Sequence, residues 1–352
     1  MADEGTHLSR STVKSLLLIA VVVLAAAGAF VYVGGWLAPA RLTPARIVDS
    51  LAPPGGAVHG FRRNHAKGVC FTGTFESTGE GRALSKASLF AVGVYPVVGR
   101  LNLATPDPKT PDGMARVRGL SLRVVMPDHE EWRSAMIDAP FFPVATPLAF
   151  YELQNVLASS DHAEATKRFA AAHPRFAAFG AWAKSAPQTG SFAEDRFNSL
   201  NSFVFIDAAG TSRTVRWSFV PVATPRPVGA DELRSRDPDF LASELAARLE
   251  AAPVRWKMVV TVAETSDPTA DPSEEWPKDR RTVDVGVLTA TKIDPEVDGA
   301  CRDVNFDPTV LPSGMAVSDD PFPAARSAAY AVSFDRRTAE LQNYLEAKGQ
   351  RP

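Results

Sequence analysis

The sequence predicts an α+β protein in which antiparallel strands close into a barrel, with helices around it and one transmembrane helix in front. Short apolar segments follow one another in runs instead of alternating with helices, which is typical of antiparallel sheets. Helical periodicity is confined to a few stretches. One uncharged stretch near the N-terminus is long enough to cross a bilayer.

The composition excludes several classes of protein. With 352 residues, 45% of them hydrophobic and 22% charged, the chain has the make-up of a folded globular protein. Its 38 basic and 40 acidic residues give no electrostatic footprint for nucleic acid, so we expect no nucleic-acid partner. Two cysteines, Cys70 and Cys301, are too few for a disulfide framework or a four-thiolate metal site.

The N-terminal stretch predicts a membrane anchor. Residues 15–40 carry no charge, and Leu16–Trp36 is long enough to span the hydrocarbon layer as a helix. Arg10 and Lys14 precede it, and positive flanking charge keeps that side in the cytoplasm. We therefore expect residues 1–40 to form a cytoplasmic N-terminus and a single-pass inner-membrane helix.

The remaining residues, 41–352, are then expected to be one domain in the periplasm. A cleaved secretory signal is the alternative, because the small residues at 27–29 and 38–40 resemble cleavage sites. The retained anchor is preferred, since the apolar run continues through Phe30–Leu37 beyond the first of them. Both interpretations export the bulk of the chain.

Seven segments of this domain have the length and pattern of strands. A turn at Asp207–Gly210 is predicted to join two of them as a hairpin. The predicted strands are Val69–Phe75, Leu89–Val98, Leu120–Met126, Ser202–Asp207, Thr214–Val222, Met258–Val262 and Val283–Thr289. Helices are predicted over His162–Lys184, over Asp239–Glu250 and from Pro321 onward.

Common catalytic motifs are missing from the sequence. None of its six histidines forms a His-Glu-x-x-His pair or accompanies a Cys-x-x-Cys, so no zinc site is predicted. No P-loop and no Gly-x-Ser-x-Gly stands in a strand-turn-helix context, so neither an NTPase nor an α/β-hydrolase has support.

Three stretches, in order, resemble the haem catalase superfamily. Residues 62–76, RRNHAKGVCFTGTFE, are similar to its distal-histidine segment, and residues 306–330, FDPTVLPSGMAVSDDPFPAARSAAY, to its proximal haem-ligand segment. DPSEEWP at 271–277 resembles a third stretch between them. The resemblance implies an eight-stranded antiparallel barrel that binds haem b. The sequence ends 22 residues after Tyr330 and has an N-terminal membrane segment, and in both respects it is similar to the small catalase-related peroxidases.

The resemblance implies roles for particular residues. Tyr330 is the expected iron ligand and His65 the expected acid/base group, because an imidazole that titrates near neutrality can move a proton both ways. Arg326 lies four residues before Tyr330 on a helix that starts at Ser318–Pro321, so the two side chains share one face.

Haem also requires cations for its propionates and an apolar wall. Arg62, Arg100 and Arg337 match the family's propionate-binding arginines, and guanidinium groups suit carboxylates. The apolar wall is expected to contain three further residues, namely Val69, Phe142 and Phe150.

Several positions depart from the family pattern. Ile137 stands opposite the family's catalytic asparagine, with Asp138 next to it, and neither offers an amide donor. We therefore expect peroxidase turnover to be favoured over disproportionation. Asn201 replaces a histidine and is expected to hydrogen-bond toward Arg326. The exported location allows a disulfide between the two cysteines, but the sequence leaves their pairing open, and a cysteine in a strand is more often inert packing.

The resulting prediction is a haem-dependent peroxidase that reduces hydrogen peroxide or organic hydroperoxides with an unidentified small-molecule reductant, weak catalase activity being allowed. A hydroperoxide isomerase or dehydratase of the allene oxide synthase type is one alternative. A non-enzymatic haem-binding protein is another. The sequence leaves open whether the protein is a homo-oligomer.

Overall fold

A computed structural model describes residues 10–33 and 41–347, with side chains as far as residue 341. Its first element is helix α1 (Arg10–Val33), in which no residue is buried. The helix is long and apolar enough to cross a membrane, a test that a signal sequence also passes. The end of the predicted span and the small residues at 38–40 lie outside the described residues.

Eight antiparallel strands of the described chain close into a barrel, as predicted. In chain order the strands are β1 (Gly68–Ser77), β2 (Gly93–Leu103), β3 (Arg118–Val125), β4 (Glu131–Ile137), β5 (Gln188–Thr189), β6 (Phe197–Asn198), β7 (Phe203–Ile206), β8 (Ser212–Pro221), β9 (Pro227–Val228), β10 (Val254–Val262), β11 (Thr282–Pro295) and β12 (Met315–Val317). Around the barrel, neighbouring strands follow the order β10, β11, β1, β2, β3, β4, β6 and β8, and β8 then pairs with β10. Strands β7 and β12 continue the sheet beside β8, while β5 and β9 form a separate pair.

Side chains of each strand alternate between the barrel interior and its outer face. The interior is filled by large aromatic residues, among them Trp132 and Trp217, whose rings meet edge to face at 5.5 Å. In β2, Leu101 and Leu103 point into this core, so Arg100 and Asn102 stand on the outer face. The barrel is therefore a packed core, and its polar residues are free to build a site on the outside.

Among the described residues seven α-helices follow the first one, and three of them cover that outer face. The seven are α2 (Pro44–Asp49), α3 (Pro147–Ala158), α4 (His162–Ala172), α5 (Pro174–Ser185), α6 (Ala230–Ser235), α7 (Phe240–Ala251) and α8 (Phe322–Ala347). The N-terminal part of α8 packs against α2 through Ala329 and Val48, and against α3 through Phe322 and Leu153. The predicted start of α8 is confirmed by Asp320, whose carboxylate accepts the Phe322 N–H at 2.9 Å.

Some predicted elements differ in the structure. The predicted helix over 162–184 is broken at His173, because Pro174 fits only the first turn of a new helix. The predicted strand Leu89–Val98 begins at Gly93, since Leu89 and Phe90 form a helical turn buried at the end of the barrel. Strands β4, β5, β6, β9 and β12 and helices α2, α3 and α6 were not predicted. The hairpin turn at Asp207–Gly210 is confirmed.

Gly73 marks a bulge in the barrel wall. The register between β1 and β11 shifts between Thr72 and Gly73, and a Cβ added to Gly73 would stand 1.9 Å from the carbonyl oxygen of Thr289. A side chain is therefore excluded at this position by the neighbouring backbone.

Candidate functional site

The registers of β1 to β4 assemble two rows of residues on the outer face of the barrel. Because the strands pair directly across, residues of one row share one side of the sheet. The first row is Cys70, Arg100, Ser121 and Ala135, and the second is Gly68, Asn102, Gly119 and Ile137. Gly68 and Gly119 flank Asn102 on the neighbouring strands, so no side chain protrudes from the surface on either side of it.

A cavity of about 390 Å³ lies between these rows and helices α2, α3 and α8. Its lining contains the predicted site residues from the distal segment, the proximal segment and the arginine group. These are His65, Arg62, Arg100, Phe142, Phe150, Arg326, Tyr330 and Arg337. The fold therefore brings together residues that are up to 275 positions apart in the sequence.

Val69 corrects the sequence prediction, because it does not line the cavity. It pairs with Leu101 across β1 and β2 and belongs to the hydrophobic core inside the barrel. The strand alternation sends its neighbours Gly68 and Cys70 to the outer face and Val69 inward.

His65 stands at the edge of the cavity, directly before β1, with a left-handed backbone at φ 55°. Its Nδ1 lies 2.6 Å from Oδ1 of Asn102. Since an amide oxygen only accepts, Nδ1 carries the proton and Nε2 keeps a lone pair. Burial, and beyond it the nearby arginines, lower the pKa of His65 to about 4, although the Asn102 bond opposes the shift. The ring is therefore a neutral base at pH 7.

Tyr330 on α8 is held by Arg326, as the helical spacing predicted. Nη2 of Arg326 donates to the Tyr330 hydroxyl at 3.0 Å and to the backbone oxygen of Ala135 at 2.8 Å. Its Nη1 donates to Oδ1 of Asn201 at 2.6 Å, which confirms the contact expected for that residue. Asn201 is itself fixed by Asp320 at 3.0 Å. Arg326 is therefore held in fixed contact with the phenol oxygen.

Arg62 and Arg100 meet at a shared carboxylate that sequence reasoning missed. Glu296 accepts from Arg62 at 3.2 Å and from Arg100 at 2.6 Å. Arg62 also donates to three backbone oxygens, those of Cys301, Arg302 and Val304, at 3.1 to 3.3 Å. Burial first, and then the Arg100 charge, lower the pKa of Arg62 to about 9.

Arg337 completes this group and leaves donors unused. Its Nη1 donates to the backbone oxygen of Arg302 at 2.6 Å, but its Nε and Nη2 are buried without a partner, as is Nε of Arg100. Unsatisfied buried guanidinium N–H groups are costly, so they indicate a missing anionic acceptor. Asp303 lies 3.8 Å from Arg337 but is itself paired with Arg302 at 2.8 Å. The three arginines of the cavity, set against Glu296, therefore leave two positive charges at this end.

Ile137 and Asp138 have different surroundings. Ile137 lines the cavity in the row of Asn102, so an apolar side chain stands in the distal region. Asp138 faces away from it and accepts the backbone N–H of Arg118 at 3.0 Å. Burial, and then the charge of Asp195, raise the pKa of Asp138 to about 7. Neither residue presents an amide to the cavity.

The two cysteines are joined in the structure. The disulfide between Cys70 and Cys301 has a Cα–Cα distance of 5.3 Å and closes a separation of 231 residues. Both residues are buried. The sequence left their pairing open, and the barrel decides it by bringing the outer face of β1 against the segment after β11.

Comparison with known proteins agrees with this architecture. The family model for catalase matches residues 60–347. The chain belongs to the catalase family. A catalase-related peroxidase of Synechococcus elongatus is 34% identical over 332 residues, which cover 92% of this chain and 97% of that protein. A second, from Mycolicibacterium paratuberculosis, is 33% identical over 301 residues, covering 84% and 95%.

A solved structure of a bacterial catalase shows the same fold. It superposes with a TM-score of 0.70 at 21% identity, over 83% of this chain. The chain spans 60% of the length of that catalase.

The residues of the cavity fit the haem that catalases carry. A porphyrin with two propionates needs a flat apolar slot, an axial ligand and two positive charges at one edge. The cavity offers Phe142 and Phe150 as apolar wall, the Tyr330 phenol, and an arginine group with two net charges and unused donors. Its donor set therefore matches the group chemically.

Asn102 and Glu296 are the functional residues that sequence reasoning missed. Asn102 follows Arg100 by two positions, and residues two apart in a strand share a face, but the predicted strand Leu89–Val98 ended before both of them. Glu296 had no such signal, because it lies just beyond β11 and only the tertiary structure brings it to the arginines.

Proposed function

We propose that this chain is a haem b peroxidase that reduces hydrogen peroxide or organic hydroperoxides with electrons from a small-molecule donor. The single observation that carries the proposal is one cavity lined by His65 and by Tyr330, each held in place by its own partner. Family membership adds support, since both curated relatives are catalase-related peroxidases. When bound, haem supplies the iron that accepts the peroxide and the redox capacity to cleave its O–O bond.

Tyr330 is proposed to hold the iron as a phenolate. A cation beside the phenol oxygen would stabilise a phenolate bound to iron. Arg326 supplies that cation at 3.0 Å and is itself fixed by Asn201 and the carbonyl oxygen of Ala135. The metal charge acts in the same direction.

His65 is proposed to move the proton. Its unprotonated Nε2 accepts a proton from the incoming peroxide and returns it to the oxygen that departs as water or alcohol. Asn102 keeps the other ring nitrogen protonated, so the accepting nitrogen is defined before the substrate arrives. The low pKa of the ring keeps it in the accepting form at neutral pH.

Ile137 supports peroxidase turnover over disproportionation. Disproportionation requires a second peroxide to be held as reductant, and Ile137 offers that molecule no hydrogen bond at the position where an amide was expected. An apolar side chain also suits the alkyl part of an organic hydroperoxide.

We propose that residues 1–40 anchor the enzyme in the inner membrane and that residues 41–352 form the haem-binding domain in the periplasm. Helix α1 supports the anchor, and the disulfide supports an oxidising compartment. Protease added to intact spheroplasts should digest the domain while the protein fractionates with membranes. Recovery of the full, protected chain from the cytosol would reject this location.

Replacement of Tyr330 tests the haem assignment. Tyr330→Phe removes the phenol oxygen and keeps the ring, so purified protein should lose its haem or show a strongly altered visible spectrum. Tyr151→Phe is a matched control, because the Tyr151 hydroxyl also accepts from an arginine, Arg46, at 3.0 Å but lies outside the cavity lining. An unchanged spectrum in Tyr330→Phe refutes the assignment.

A further inference from the structure

The segment after β11, residues 296–304, holds the arginines of the cavity edge, and we name it the rim loop. It consists of turns. From one end it presents the Glu296 carboxylate to Arg62 and Arg100. From the other end it presents backbone oxygens: three accept from Arg62 and one of these, that of Arg302, also accepts from Arg337.

The three arginines have no common element of their own. Arg62 lies before β1, Arg100 lies on β2 and Arg337 lies on α8. Like charges brought together repel one another, so their positions require acceptors between them. The acceptors of these three guanidinium groups belong to the rim loop, with one further acceptor, the backbone oxygen of Ala66, which lies 3.4 Å from Nη2 of Arg100.

The disulfide fastens this loop to the barrel. Cys301 lies within the rim loop, and Cys70 is the register partner of Arg100 across β1 and β2. The Cys301 N–H also points at the Cys70 sulfur at 3.2 Å, and Gly299 packs so closely that a Cβ there would meet that sulfur at 2.4 Å. The disulfide therefore keeps the rim loop next to Arg100, whose guanidinium donates to Glu296.

A small apolar cluster lies under the same contacts. Both cysteines pack with Val304 and Phe306, and the Arg62 guanidinium lies over the Phe306 ring at 5.6 Å. The disulfide thus joins the loop both to β1 and to the surface on which Arg62 rests.

We infer that Cys70 and Cys301 are positioning residues for haem, whose disulfide holds the rim loop so that Arg100 and Arg337 offer their free donors, and Arg62 its charge, to the propionates. The inference rests on the proposed haem function and adds to it a cause for the arrangement of the arginines. The disulfide acts through the loop and does not touch the ligand.

The test measures the rate of haem dissociation and the hydrogen exchange of the rim loop, with and without the disulfide. Cys70→Ala/Cys301→Ala protein, loaded with haem, is mixed with excess apomyoglobin, and transfer is followed by visible absorbance. We expect transfer about tenfold faster than from the parent, which corresponds to about 1.4 kcal/mol. In the haem-free protein, amide hydrogen exchange should accelerate across residues 296–304 and stay unchanged in β3.

Two controls separate positioning from a general loss of stability. Leu122→Ala opens space inside the barrel, away from the cavity lining, and should lower Tm without accelerating haem transfer. In an Arg62→Ala/Arg337→Ala background, removal of the disulfide should accelerate transfer clearly less than in the parent, because Arg100 is then the only one of the three arginines that still contacts the loop. If the Cys70→Ala/Cys301→Ala variant does not fold, Cys70→Val/Cys301→Ala replaces it.

The outcomes distinguish the two proposals. A parent protein that binds no haem overturns the proposed function and the inference with it. A parent that binds haem, together with a disulfide variant that releases it at the parental rate, overturns the inference alone. Equal acceleration by Leu122→Ala at the same loss of Tm, or an undiminished effect in the Arg62→Ala/Arg337→Ala background, also overturns it.

Discussion

Asn102→Leu removes the acceptor that fixes the protonation of His65 while keeping a side chain of similar size. In the parent, Oδ1 of Asn102 lies 2.6 Å from Nδ1 of His65 and holds the proton there. Without that bond the proton is free to occupy Nε2, and a ring protonated at Nε2 cannot accept the peroxide proton. We therefore expect a slower reaction with peroxide.

The size of the effect follows from one neutral hydrogen bond. Such a bond contributes about 0.5–1.5 kcal/mol, which corresponds to a change of about 2- to 10-fold in the ratio of the two neutral forms of His65, protonated at Nδ1 or at Nε2. Loss of the whole acid/base group in His65→Ala should cost about 10²- to 10⁴-fold. The Asn102→Leu effect must therefore lie well below that of His65→Ala.

Stopped-flow absorbance of the haem-loaded protein after mixing with peroxide measures this rate. Asn198→Leu is a matched control, because Asn198 continues the same row of the sheet beyond Ile137 but does not contact His65. An unchanged rate in Asn102→Leu would refute the reasoning. Equal slowing by Asn102→Leu in the His65→Ala background would refute it as well, since no histidine is then left to orient.

Three further predictions concern pH, turnover and stability. The rate of the reaction with peroxide should stay nearly constant down to about pH 5 and decrease toward the His65 pKa of about 4. Asn102→Asp adds a carboxylate beside the ring, which favours the protonated imidazole, so the decrease should then occur at higher pH. A decrease in the parent near the ordinary histidine pKa of about 6.5 would contradict this. Ile137→Asn should raise oxygen release relative to donor oxidation, measured with an oxygen electrode and a dye donor, and no change would show that an amide there is irrelevant. Gly73→Ala should lower the free energy of unfolding by about 1–3 kcal/mol or more in denaturant melts, because its Cβ would stand 1.9 Å from a backbone oxygen. Gly180→Ala in α5 is the control, since a Cβ there has open space and should not destabilise the protein. Equal stability of the two variants would contradict the bulge argument.

Features that depend on neighbours in the chain could be predicted from the sequence. The start of α8 at Asp320 and the shared face of Arg326 and Tyr330 follow from capping and from the helical period alone. The hairpin turn after β7 follows from its turn residues in the same way. These contacts form within a few residues, so local geometry suffices.

Strand β4 shows where the local pattern fails. Its inward positions include Ser134, a polar residue that is buried because it accepts the Nε1 hydrogen bond of Trp217 at 3.2 Å. Trp217 lies on β8, so the partner that makes Ser134 acceptable inside the barrel is remote in sequence. Because Ser134 interrupts the alternation of apolar and polar residues, the sequence pattern did not predict strand β4.

The sequence by itself determined the class of fold, the apolar N-terminal helix and the pairing of Arg326 with Tyr330, because each depends on composition or on spacing of a few residues. Only the tertiary structure decided the surroundings of His65, the inward direction of Val69 and the disulfide of Cys70. Those depend on strand register and barrel closure, and a shift of one residue turns every side chain of a strand to the opposite face. The packing of the whole barrel selects that register.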